Sequence, residues 1–178
     1  MTNTVHAEES EKKFLVGNVR KQAPWPKEQI VYQWYTHLEA GAHAHTKKKL
    51  IFDLATQRIR YVEVTKKSES LGMNSKEINY FNVEDFSSKA LIGFPFVLKR
   101  RSIKDKLFLD VFLRSNGICK YLLEDESDGG GTAPDGEYEI LQEVTDDIRY
   151  YNQAMTTAFT EDDAGKLDYL LSIFQAAE

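Results

Sequence analysis

The stretch EESEKKFLV, residues 8–16, places Glu9, Glu11 and Lys13 at alternating positions just before the strand-forming run Phe14, Leu15 and Val16. Successive strand residues point to opposite faces, so a strand from Glu9 to Val16 sets two carboxylates and an ammonium on one face. The pattern returns further on. In KKKLIFDL, residues 47–54, Leu50, Phe52 and Leu54 alternate with Lys49, Ile51 and Asp53. In RIRYVEVTKK, residues 58–67, Val62 and Val64 alternate with Tyr61, Glu63, Thr65 and Lys67. In KLFLDVFLR, residues 106–114, Phe108, Asp110 and Phe112 oppose Leu107, Leu109, Val111 and Leu113. In ICKYLLEDE, residues 118–126, Glu124 and Glu126 share a face.

Further strand-like runs are EQIVYQWYTHL (28–38), SKEINYF (75–81), FVLKRRS (96–102) and EYEILQEV (137–144). Helical patterns are fewer. Residues 82–92 form one candidate, with Asn82 as N-cap and acids in the first turn. Residues 146–159 form a second. At about 160–178, Leu167, Leu170, Leu171 and Phe174 make the stripe of an amphipathic helix, with Thr160 as N-cap. About eight strands joined mostly by short turns predict a mainly β (α+β) fold: a closed eight-stranded antiparallel barrel forming a tunnel, with a few flanking helices. Closure would remove exposed sheet edges.

The chain has 178 residues, which predicts one domain over 1–178. Its formal net charge of -5 disfavours general nucleic-acid binding. The single cysteine, Cys119, excludes an intrachain disulfide and a cysteine metal cluster. No apolar run reaches the ~20 residues of a membrane helix. These features predict a soluble cytoplasmic protein without nucleic-acid or membrane partners. The loop SDGGGTAPDG, residues 127–136, is Gly-rich but lacks the Lys-Ser/Thr pair of a phosphate-binding P-loop.

The polar faces collect Glu9, Glu11, Glu63, Asp110, Glu124, Glu126 and Glu143 together with Lys13, Lys47, Lys49, Lys67, Lys99 and Arg101. Enclosing such a row costs free energy unless the charges are paired or hold a ligand. Clustered Lys and Arg suit phosphate oxygens, and clustered carboxylates suit Mg2+ or Mn2+.

The order of these motifs resembles the CYTH family, also called triphosphate tunnel metalloenzymes, over almost the whole chain. ESEKKFLV resembles its E-x-E-x-K opening, YQWY its Q-x-Y element with Gln33 and Tyr35, and LKRRS its K-x-R strand. LFLDVF, LLEDE and QEVTDDIRYYNQAM resemble the later strands and the close. The resemblance implies a metal-dependent hydrolase of a triphosphorylated small molecule, inorganic tripolyphosphate first. It implies Glu9, Glu11 and Glu143 as ligands of Mg2+ or Mn2+. Lys13, Lys49, Lys67, Lys99 and Arg101 would bind substrate, and of the catalytic pair Glu124 and Glu126 one would take the attacking water's proton. A CYTH-type adenylate cyclase and a non-catalytic binder of a phosphorylated ligand are the alternatives. The family's R-x-R pair on the third strand is replaced here by Lys47 and Lys49. Arg58 and Arg60 lie too close to Lys67 to supply it.

The remaining polar features read as incidental or structural. His43 and His45 sit in an Ala/Gly loop, Cys119 on a strand with no redox role, and the aromatics of YQWY in strand packing. Arg149, Tyr150 and Asn152 fix the closing segment.

Overall fold

The computed structural model describes residues 2–6, 11–19, 25–38, 44–68, 74–127 and 138–175. Among them are eleven strands in one antiparallel sheet and one α-helix. The strands are β1 (Thr2–His6), β2 (Lys12–Val19), β3 (Lys27–Leu38), β4 (His45–Asp53), β5 (Ile59–Ser68) and β6 (Asn74–Phe81). They continue with β7 (Pro95–Lys104), β8 (Leu107–Arg114), β9 (Tyr121–Asp125), β10 (Tyr138–Glu143) and β11 (Thr157–Ala158), before α1 (Glu161–Gln175).

The expected closed barrel is not formed. The ladder runs β1-β6-β5-β4-β3-β7-β8-β9-β2-β10, with β11 added beside β7. Among the described residues, the end strands β1 and β10 do not pair with each other, so this is an open mainly β sheet. Sequence alternation reports which face a side chain takes. It carries no information on whether the last strand meets the first.

Turn chemistry sets the hairpins. Between β4 and β5, the Asp53 carboxylate accepts from the backbone N–H of Ala55 and Thr56 at 3.1 and 3.0 Å, and Gln57 takes φ 55°. Between β7 and β8, Asp105 takes φ 53°, a left-handed turn position that Asp tolerates.

One face of the sheet packs against α1. Trp34 and Phe96 are fully buried there with Leu50, Phe52 and Leu167. Phe159 meets both Trp34 and Phe96 edge-on, and Phe174 of α1 meets Phe52 at 5.1 Å. Burial of each such side chain stabilises the fold by roughly 1.5–3 kcal/mol. The helix is started by a reciprocal cap. Thr160 Oγ1 accepts from Asp163 N, and Asp163 Oδ2 accepts from Thr160 N and Oγ1. Arg114 of β8 donates to both oxygens of Asp163 at 3.1 Å, joining helix to sheet.

Two predicted helices are not helical in the expected way. Residues 82–92 hold two 3-10 turns, Val83–Asp85 and Lys89–Leu91, and Asn82 makes no side-chain cap. Residues 146–159 hold a 3-10 turn, Ile148–Tyr150, then turns and β11. Here tertiary packing overrides helical spacing: Met155 and Val144 are drawn onto Val97, Phe112 and Leu122 on the other sheet face. No helix among the described residues is long and apolar enough to cross a membrane.

Candidate anion-binding site

The face opposite α1 carries the charged rows, and register brings them together. Gln33 lies opposite both Lys49 and Val97, and Val31 opposite both Ile51 and Lys99. Arg101 lies opposite Asp110, while Phe108 and Lys13 each lie opposite Glu124. Curvature of the sheet turns these rows into one cavity of about 340 Å3. Its lining includes Glu11 and Lys13 of the β2 region, Lys49, Lys66, Lys99 and Arg101, and Glu124 of β9. Thr145, Asp146, Tyr151, Asn152 and Gln153 also line it, from the segment that packs Val144 and Met155 beneath them.

Lys99 and Glu124 in the wall are 2% and 3% exposed, and Asp110 behind them is 0% exposed. Lys99 Nζ donates to Asp110 Oδ2 at 2.7 Å and to Asn152 Oδ1 at 3.1 Å. Arg101 donates through Nε to Asp110 Oδ1 and through Nη2 to Asp110 Oδ2, both at 2.7 Å. The Arg101 Nη2 also donates to Glu124 Oε2 at 2.8 Å. Glu124 Oε1 is buried with no hydrogen-bond partner among the described residues. Lys13 pairs with Glu11 at 3.3 Å and stands over the Tyr151 ring.

Burial raises the Glu11 carboxyl above its ordinary value, and the Glu124 charge adds to that. Burial acts the same way on Glu124, but Arg101 beside it holds its carboxyl below the ordinary value. Burial pushes the Lys49 ammonium down to about 7, with Arg101, Lys99 and Lys76 adding repulsion. Burial and then Lys49, Lys66 and Lys99 put Lys47 well below the ordinary lysine value. Neither Lys47 nor Lys49 forms an ion pair with a carboxylate among the described residues. Lys47 and Lys49 thus sit near other cations with no carboxylate at ion-pair distance among the described residues, and that repulsion adds to burial in lowering both.

Of the residues expected at a site, Glu11, Lys13, Lys49, Lys99, Arg101 and Glu124 line this one cavity. Glu9 lies outside the described residues. Lys67 is exposed and its neighbour Lys66 lines the cavity instead. The valines misled that choice: Val62 and Val64 share the inward face with Lys66, opposite Lys49 and Lys47. Glu126 is exposed beyond the end of β9, because the strand stops at Asp125. Glu143 is exposed and accepts from Thr145 Oγ1 at 2.9 Å. His45, read as incidental, is buried and lines the cavity edge-on to Tyr35. The aromatics of YQWY are packed: Trp34 lies in the core under α1, and Tyr35 is buried beside Gln33.

No family model matches the chain. No curated protein matches it either. Among solved structures, the PH1819 protein from Pyrococcus horikoshii OT3 is similar at 14% identity over 95% of this chain and 89% of that one, with a TM-score of 0.44. A likeness of that size carries no argument about activity.

Proposed function

We propose that this cavity binds the phosphate chain of a triphosphorylated small molecule, inorganic tripolyphosphate first, and that the protein is a metal-dependent hydrolase related to the triphosphate tunnel metalloenzymes. The observation that carries the reading is the set of Lys13, Lys49, Lys66, Lys99 and Arg101 on one cavity, against Glu11, Glu124 and Asp146. Charge-assisted hydrogen bonds from such cations are the strong ones for phosphate oxygens. The volume of about 340 Å3 lies at the small end of the roughly 300–1,000 Å3 of ligand pockets.

The carboxylates fit a divalent cation in part. Glu124 offers a buried oxygen without a partner among the described residues, and the Glu11 carboxyl near it is raised by burial and by Glu124. A cation between them would relieve both. Among the described residues no three His, Cys, Asp or Glu side chains form a metal cage, so Glu11 and Glu124 would share Mg2+ or Mn2+ with the phosphate oxygens themselves. Such an ion supplies Lewis-acid activation and neutralises phosphate charge. The chain's own part is to hold the phosphates. Lys99 and Arg101 are fixed by Asp110, Lys13 stands over Tyr151, and Lys49 and Lys66 face them from the opposite wall. Phosphoryl transfer depends chiefly on positioning and charge stabilisation, so no nucleophilic Ser or Cys is needed. Glu124, tied to Arg101 by one oxygen, keeps the other for the attacking water's proton or for the cation.

The test is phosphate release from tripolyphosphate, thiamine triphosphate and ATP, with and without Mg2+ or Mn2+, beside calorimetric binding of each. Metal-dependent release supports the reading. Cyclic nucleotide from ATP would make the protein a cyclase, and tight binding without product a non-catalytic binder.

A further inference from the structure

Asp110 does not line the cavity. It lies behind the wall, with no exposed surface and both oxygens engaged, accepting three hydrogen bonds at 2.7 Å from Lys99 and Arg101. A buried carboxylate so held stays ionised. Burial alone would raise its carboxyl, but Arg101 and then Lys99 keep it well below the carboxylate range.

The two cations need it. Lys99 is almost wholly buried, and burial followed by Arg101 lowers its ammonium. The charged groups facing Lys99 are Arg101 on its own strand, Asp110 on β8, Glu124 on β9, and Lys47 and Lys49 on β4. Among these, Asp110 alone touches the Lys99 Nζ, and the neutral Asn152 holds a second of its three donors. Arg101 has its Nε and Nη2 committed to Asp110 and Glu124, which fixes the guanidinium plane.

We propose that Asp110 is a positioning residue: a carboxylate out of the ligand's reach that keeps Lys99 charged and holds Lys99 and Arg101 aimed at the anion. This rests on the anion-binding reading above. It makes a prediction opposite to simple charge counting. Removing a negative charge near a polyanion site should tighten anion binding. Removing Asp110 should weaken it, because Lys99 gives up its proton and Arg101 loses two of its anchors.

The experiment compares wild-type protein with Asp110→Asn by calorimetric titration of tripolyphosphate from pH 6 to 9. The expected result is a loss of about tenfold or more in affinity at pH 7. The alkaline limb of the binding profile, read in a Lys49→Arg background so that Lys49 does not set it, should also move down by about one pH unit. A purely structural role would lower the melting temperature without moving that limb. Equal or tighter binding by Asp110→Asn overturns the proposal while leaving the anion site standing. Absence of binding by wild-type protein over the whole range overturns both. Should Asp110→Asn fail to fold, lysine side-chain NMR on wild-type protein decides, with resonances assigned by Lys49→Arg and Lys99→Arg. Lys99 should titrate above Lys49, which forms no ion pair with a carboxylate among the described residues. Titration of Lys99 at or below Lys49 overturns the role given to Asp110.

Discussion

Arg101 donates through Nη2 to Glu124 Oε2 at 2.8 Å, while Oε1 of the same carboxylate is buried with no hydrogen-bond partner among the described residues. The pair is thus half finished: Arg101 satisfies one oxygen and leaves the other without a donor among the described residues. A buried pair of this kind is a poor source of stability but costs about 3–5 kcal/mol to break from one side.

Arg101 and Lys49 should therefore respond in opposite ways to removal. Arg101→Ala strands Asp110 and Glu124, so thermal melts should show a large loss of stability together with a fall in kcat/KM for tripolyphosphate. Lys49→Ala removes an unpaired amine, so stability should be unchanged or higher. Its kcat/KM should fall less than in Arg101→Ala, by about tenfold for one charge-assisted contact. A greater kinetic loss in Lys49→Ala would place the main phosphate clamp on β4.

The Lys49 ammonium at about 7 gives the site a pH dependence. Anion affinity should fall as pH rises through about 7, because the wall loses charge. Lys49→Arg should flatten that decline, since guanidinium does not titrate there. Stability of the ligand-free protein carries the opposite sign. The folded pKa of Lys49 lies below its unfolded value of ~10.4. Between these values the unfolded chain binds more protons, so this residue's contribution to stability rises with pH across that window. Denaturant titrations at pH 7 and pH 9, in wild-type and Lys49→Arg, check the sign.

The carboxylates can be sorted by metal binding. Glu11→Ala, or Glu11→Ala with Glu9→Ala, should abolish Mn2+ binding followed by paramagnetic resonance in the presence of tripolyphosphate, with little loss of folding. Glu143→Ala should leave it within about twofold of wild type, because that side chain is exposed on Thr145. Full activity of the Glu9/Glu11 double variant at low Mg2+ would remove Glu11 from the site.

The attachment of α1 depends on Asp163. Burial raises its carboxyl, but Arg114 and the Thr160 cap outweigh this and hold it below the ordinary value. Its contribution to stability is present above the unfolded carboxylate pKa and is lost as pH falls through the lower folded value. Asp163→Ala loses both the cap and the Arg114 pair, and should destabilise the protein by about 1–3 kcal/mol at pH 7 in urea titrations. The difference from wild type should shrink in acid. A constant difference down to pH 2 would mean that the carboxylate acts by packing alone.

Much of the site was legible because strand parity is a local property. Lys49, Lys99, Arg101, Asp110 and Glu124 fall on the predicted faces, and register alone then sets Arg101 against Asp110 and Lys13 against Glu124. Lys66 was missed because two inward valines made its face look like core. The register with β4, which pairs Val62 with Lys49, is what places it inside. His45 opens β4 with the parity of Lys47 and Lys49, although its sequence reads as an Ala/Gly loop, whereas Asn152 comes from a segment without a charge pattern and reaches the cavity by tertiary packing. Closure was misjudged for the same reason: pairing of the first and last strands is a long-range property that no window of sequence contains.

The unclosed ladder has a mechanical consequence. The rim bearing Glu11 and Lys13 connects to the rim bearing Lys49 and Lys66 through β9, β8, β7 and β3 alone. No ladder hydrogen bond spans the gap between them among the described residues. A change in their separation would bend the strands between them, as in a spring clip, and would break no ladder hydrogen bond among the described residues. An anion bridging Lys13 on one rim and Lys49 on the other would then act on that separation as well as on the charges.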